Sequence, residues 1–96
     1  MIIVRSVFQA KYGKSDELIQ LVKEGDEIWP SKHPTRRMTD LSGKFFTLVG
    51  EAEYESLAEF EAERQRYFDD PRFATWFEHM TSLVESGSRE FYTLVE

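Results

Sequence analysis

Few side chains in this sequence lend themselves to chemistry. His79 lies on the flank of a helical stretch, one turn from Trp76 and Thr75. An unperturbed histidine pKa of about 6.5 suits a general base at a pocket mouth; the plainer reading is a half-exposed surface histidine. His33, between Lys32 and Pro34, falls in a connecting loop, where functional residues concentrate, although a solvated turn residue is the plainer reading there too. Arg36 and Arg37 open a short strand, with Asp40 behind them. Strand parity sends neighbours to opposite faces, so one of the two guanidinium groups can face inward and clamp a carboxylate or an enolate oxygen. The alternative is a surface ion pair of little worth. Arg5 and Gln9 on the first strand would line the same space, with Thr47 and Tyr92 as further candidates whose face parity alone does not fix.

A second set is apolar. Trp29, Trp76, Phe73, Phe77 and Met80 could wall a pocket for a flat ligand, although an aromatic stripe at helical spacing is more often plain core. No metal set is expected: the two histidines are far apart, there is no His-x-x-x-His, and there is no cysteine. The acid-rich run from Glu51 to Glu63 reads as a solvated face, because it lacks the glycine and the oxygen-ligand spacing of a calcium loop. There is no Gly-rich phosphate loop and no nucleophile motif, and no cofactor is expected.

The elements that must position these groups follow from periodicity. Residues 2–12 read as a strand in which Ile2, Val4, Phe8, Ala10 and Tyr12 share one face and Ile3, Arg5, Val7, Gln9 and Lys11 the other. Ser15 is a good N-cap for a helix carrying Leu18, Leu21, Val22 and Gly25 on one stripe, ended by Pro30 and Pro34. A loop over 31–35 leads to a strand over 36–42, a hairpin turn at Ser42-Gly43-Lys44 and a strong strand over 45–53. Ser56 to Glu59 is a capping box for a helix reaching about Phe68. Asp70 and Pro71 suit the N-cap and first position of a third helix, which Ser86-Gly87-Ser88 closes before a last strand over 89–95.

The order is β-α-β-β-α-α-β over one domain, residues 1–96. It is a ferredoxin-like α+β pattern: a four-stranded antiparallel sheet with helices on one face. The other face, with Ile3, Val7 and rings of the Phe45–Val49 strand, would be a large apolar patch that soluble monomers rarely tolerate. A second copy packed sheet against sheet would bury it, so a homodimer is expected. Aromatic residues make up 15% of the chain; so many rings in so small a domain either pack a dense core or are buried in part against a partner, and the second alternative points to a dimer. The net charge of −6 argues against nucleic acid and anionic membrane surfaces. No stretch nears the ~20 apolar residues of a membrane helix, and Arg5 interrupts the first apolar run at once; a cytoplasmic location is the expectation.

The opening strand leading into YGKSDELIQLV, together with YESLAEFEAERQRYFDDPRFATWFEHM, resembles the dimeric α+β barrel superfamily over nearly the whole chain. Within it the chain is most similar to the NIPSNAP-like and antibiotic-biosynthesis-monooxygenase-like groups. The resemblance implies two sheets forming a barrel and a cavity between sheet and helices for a small hydrophobic or aromatic molecule. Some such proteins are cofactor-independent monooxygenases, some degrade haem, and many have no known activity. Haem-degrading members carry an Asn on the first strand, a Trp on the second helix and a His on the third. Here the first strand has Arg5 and Gln9, the second helix Arg64 and Tyr67, and Phe77 stands at the His position, which speaks against haem degradation. Three functions remain: a module binding a small hydrophobic molecule, a cofactor-independent monooxygenase or isomerase, and a non-catalytic structural dimer.

Overall fold

The computed structural model describes residues 1–96. Its elements run β1 (Ile2–Ala10), α1 (Ser15–Ile28), β2 (Thr35–Thr39), β3 (Thr47–Tyr54), α2 (Leu57–Asp69), α3 (Phe73–Leu83) and β4 (Val84–Thr93). The strands form one antiparallel sheet in the order β2-β3-β1-β4, and the helices cover one of its faces. This is the ferredoxin-like α+β architecture expected from the sequence. No helix is long and apolar enough to cross a membrane.

Alternation along β1 decides what each face carries. Val4 and Ala10 point under the helices and are buried. The core has two parts. One packs Ala10, Leu48 and the α1 stripe Leu18, Leu21 and Val22 against Met80 and Leu83 of α3. The other joins Val4 and Tyr54 to Phe60 of α2. Most of the rings stay outside both, so the aromatic composition is not absorbed by the core.

Several boundaries differ from expectation. Lys14, not Ser15, is the N-cap of α1, because Gly13 turns the chain at φ 79° and the Lys14 carbonyl already accepts from Leu18 N. Ser56 caps α2 by accepting from Glu59 N, but the Glu59 carboxylate reaches Glu55 N, one residue before the cap. Asp70 accepts from Arg72 N ahead of α3, whose first helical residue is Phe73 rather than Pro71. Phe45 and Phe46 belong to the β2–β3 turn and not to a strand, with Phe46 in the left-handed region at φ 59°.

The largest change is at β4. α3 passes directly into it at Val84, so Ser86-Gly87-Ser88 lies inside the strand instead of closing the helix. Gly87 pairs with Phe8, and a Cβ there would sit 3.1 Å from the Val7 carbonyl and 3.3 Å from the Phe8 ring. The glycine serves close strand packing, not a turn.

Candidate functional site

A cavity of about 320 Å³ lies between the helical face of the sheet and all three helices, at the seam of the two core clusters. Its floor is Val4, Ser6 and Phe8 of β1 with Gly50, Ala52 and Tyr54 of β3. Its walls carry Trp29 from the C-terminal cap of α1, Phe60, Tyr67 and Phe68 from α2, and Phe73, Trp76, Phe77 and Met80 from α3. All five members of the aromatic stripe singled out in the sequence therefore border it. The rings hold one another: Trp29 meets Tyr67, Phe73 and Trp76 at centroid distances of 5.8, 5.8 and 5.6 Å. Both indoles are anchored, Trp29 Nε1 donating to Asp70 at 3.1 Å and Trp76 Nε1 to the Leu21 carbonyl at 3.0 Å. Gly25 leaves room for the second, since a Cβ there would stand 3.0 Å from the Trp76 ring. Asp70, hydrogen-bonded through side chain and backbone by Arg72, is held well below the ordinary carboxylate range.

Polar groups enter at distinct points. Glu63 is only 5% exposed. Its Oε1 accepts from the Tyr54 hydroxyl at 2.7 Å and the Tyr67 hydroxyl at 2.6 Å, and its Oε2 from Ser31 at 3.1 Å. Burial pushes this carboxyl upward, but the three hydroxyls and the Arg66 charge outweigh it, and Glu63 titrates below its ordinary range. The phenols respond in reverse: burial and the Glu63 carboxylate push Tyr54 up to about 12 and raise Tyr67 as well. Glu63 is thus not part of a solvated face, as the acid-rich run from Glu51 suggests, but a buried member of the inward face of α2. Arg37, Arg64 and Arg89 also line the cavity. Arg37 crosses β3 over Gly50, where any Cβ would collide with its guanidinium, and pairs with Asp26 at 2.8 Å.

The remaining sequence candidates do not converge on this space. Register puts Arg5, Gln9, Thr47, Arg36 and Tyr92 on the opposite, open face of the sheet. Arg5 and Arg36 share Glu51 there, and Arg5 also approaches Glu90 at 3.6 Å. Gln9 is buried and holds the β2–β3 turn through the Phe45 and Phe46 carbonyls, with the Thr47 hydroxyl on its Oε1. Asp40 stabilises the same turn by accepting from Thr47 N at 2.9 Å. Tyr92 donates to Glu90, which raises its phenol. His33 packs on Tyr54 at 5.0 Å and pairs with Glu59 beyond the cavity edge. His79 is exposed on α3 and its imidazole makes no hydrogen bond or ion pair; its carbonyl accepts from the Ser82 hydroxyl. No grouping of acids and histidines has the geometry to hold a metal ion. The open face is also less apolar than expected: Val7, Val49 and Met38 form one short row, but the charged row of Arg36, Glu51, Arg5 and Glu90 crosses the sheet between it and Ile3, and the two turn phenylalanines lie off the sheet.

The NIPSNAP family model matches residues 6–96. The chain belongs to the NIPSNAP family. Solved structures agree on its fold. An uncharacterised NIPSNAP domain protein from Burkholderia xenovorans superposes with a TM-score of 0.88 at 20% identity, over 99% of this chain and 95% of that one. A NIPSNAP family protein from Agrobacterium tumefaciens gives 0.89 at 19% identity, over 99% and 93%. A candidate antibiotic biosynthesis monooxygenase from Deinococcus radiodurans is more distant, with a TM-score of 0.71 at 15% identity, over 100% of this chain and 94% of that one. No curated protein matches the chain in sequence. At these identities the NIPSNAP and monooxygenase-like structures establish a shared fold and nothing finer.

Proposed function

We propose that this NIPSNAP domain binds a small hydrophobic or aromatic molecule in the cavity between sheet and helices. The observation that carries this reading is the cavity itself, about 320 Å³ of space walled by rings from α2, α3 and the C-terminal cap of α1, which is at the lower end of the range for small-molecule sites. Left empty, it would forfeit the dispersion contacts its lining could make. Thermal shift against a panel of aromatic acids and quinones tests it. Stabilisation of several degrees by some members is expected; no shift by any at millimolar concentration would refute it.

The second reading is catalytic: a cofactor-independent monooxygenase or isomerase acting on a small aromatic or carbonyl compound. Glu63, buried against the cavity with two phenols on one oxygen, is what favours it. The same hydrogen bonds weaken Glu63 as a base, however, because each stabilises the carboxylate over its protonated form. Binding without turnover is therefore the preferred reading, and conversion of any stabilising compound would reverse that preference.

The domain is further proposed to act as a homodimer joined through the open sheet face. The row Val7, Val49 and Met38, with Met38 38% exposed, and Ile3 beyond the charged row next to it offer apolar contact. The alternating Arg5, Glu51, Arg36 and Glu90 beside it can pair with their own copies across a two-fold axis. A purely structural dimer would need no ligand, and the cavity is the reason to prefer the binding role.

A further inference from the structure

Arg64 and Arg89 are the arginines of this chain without a carboxylate. Arg5, Arg36, Arg37, Arg66 and Arg72 each have an acidic oxygen within 4.0 Å. Scarcity of acids is not the cause, since the chain carries 18 of them against 12 Lys and Arg. The two unpaired side chains come from different elements, α2 and β4, yet both line the cavity. Their guanidinium carbons lie over the same ring, each 5.4 Å from the centroid of Phe60, with Arg64 also 5.7 Å from Phe68.

Glu63 and Asp26 are the carboxylates on the cavity lining, and neither pairs with them: Asp26 is taken by Arg37. The Glu63 oxygens are taken by Tyr67, Tyr54 and Ser31. Arg64, next to Glu63 in sequence, turns to the rings instead. Arg89 Nε donates to Ser6 Oγ at 3.1 Å, which fixes the guanidinium plane and leaves its terminal nitrogens free of protein acceptors. Burial and the adjacent Arg64 charge both disfavour the charged form of Arg89. Two cations over one ring repel each other until an anion joins them. Ring faces and two planar forks together form a site that matches a carboxylate attached to an aromatic body.

We propose that Arg64 and Arg89 form an anion seat in the cavity, so that the molecule bound there is an aromatic compound carrying a carboxylate or similar oxyanion rather than a neutral hydrophobe. This rests on the cavity being a binding site. It also fixes the ligand's direction, with the anion toward Arg64 and Arg89 and away from the Glu63 carboxylate.

The test compares 1-anilinonaphthalene-8-sulfonate with N-phenyl-1-naphthylamine, the same ring system without the sulfonate. Trp29 and Trp76 are the chain's only tryptophans and both border the cavity, so energy transfer from tryptophan reports occupancy. The anionic probe should bind about tenfold or more tightly than the neutral one, and added salt should weaken only the former. Arg64→Gln and Arg89→Gln should each weaken the anionic probe about tenfold while moving the neutral one less than about twofold. Arg64 projects from a helix surface, so Arg64→Gln keeps the comparison valid if Arg89→Gln folds poorly. Equal binding of the two probes, or equal losses in the variants, overturns the anion seat and leaves the cavity reading standing. Energy transfer to neither probe overturns both.

Discussion

Replacing Glu63 by glutamine is the most informative perturbation of the buried polar cluster. The substitution keeps the shape and removes the charge. Two phenols donate to Glu63 Oε1, at 2.7 and 2.6 Å, in a site where the residue is 5% exposed. A hydrogen bond to a charged group contributes about 1.5–3 kcal/mol and a neutral one about 0.5–1.5, so each phenol loses about 1 kcal/mol. Glu63→Gln should therefore destabilise the fold by about 2 kcal/mol at pH 7, or about 8–16 °C in Tm for a chain of this size. The effect has a pH signature. The carboxyl titrates below its ordinary value of 4.5 in the folded state, so its contribution is complete above that value and disappears as pH falls through the lower folded value. Wild type and variant should converge in acid. On the alkaline side Tyr54, now up to about 12, should titrate lower in the variant, because burial remains but the Glu63 charge is gone. Denaturant melts across pH and tyrosinate absorbance measure both. A variant as stable as wild type at pH 7, with unchanged phenol titration, would refute the reasoning.

Other outcomes follow from the same geometry. Gly87→Ala should cost about 1 kcal/mol or more by denaturant unfolding, because its Cβ would press on the Val7 backbone carbonyl 3.1 Å away; a stabilised variant would mean the strand can shift. Trp29→Phe should lose about 1 kcal/mol with its hydrogen bond to Asp70, and equal stability would show that this bond is not formed in solution. The proposed dimer predicts that wild type runs as a dimer and Val7→Glu, on the open face, as a monomer in light scattering at micromolar concentration; a monomeric wild type would refute the dimer, and a dimeric variant would place the interface elsewhere.

The order of elements was legible because periodicity is a property of each segment: alternation in β1 and the Leu18, Leu21, Val22 stripe in α1 need no tertiary information. The start of β4 was not. Gly87 and its serines carry turn chemistry, yet pairing with β1 from Val84 to Thr93 overrides that local preference. Phe45 and Phe46 have strand propensity, but Gln9 holds their carbonyls in a turn. The aromatic wall was visible as a helical stripe. Glu63 was hidden in a run of acids, although its spacing from Phe60 and Tyr67 puts it on the inward face of α2. Arg89 lay on a strand whose start was misplaced, and its juxtaposition with Arg64 depends on β4 lying beside β1, which no local pattern encodes.

The central claim is that the binding space lies under the helices and not on the open face of the sheet. Titrating isotope-labelled protein with 1-naphthoate and following amide, indole and methyl resonances tests this directly. The indole signals of Trp29 and Trp76 and the Met80 methyl should move together and saturate, while Ile3, Val7, Met38 and Val49 stay in place. Shifts confined to the latter group, or no saturable shift at all, would contradict the account.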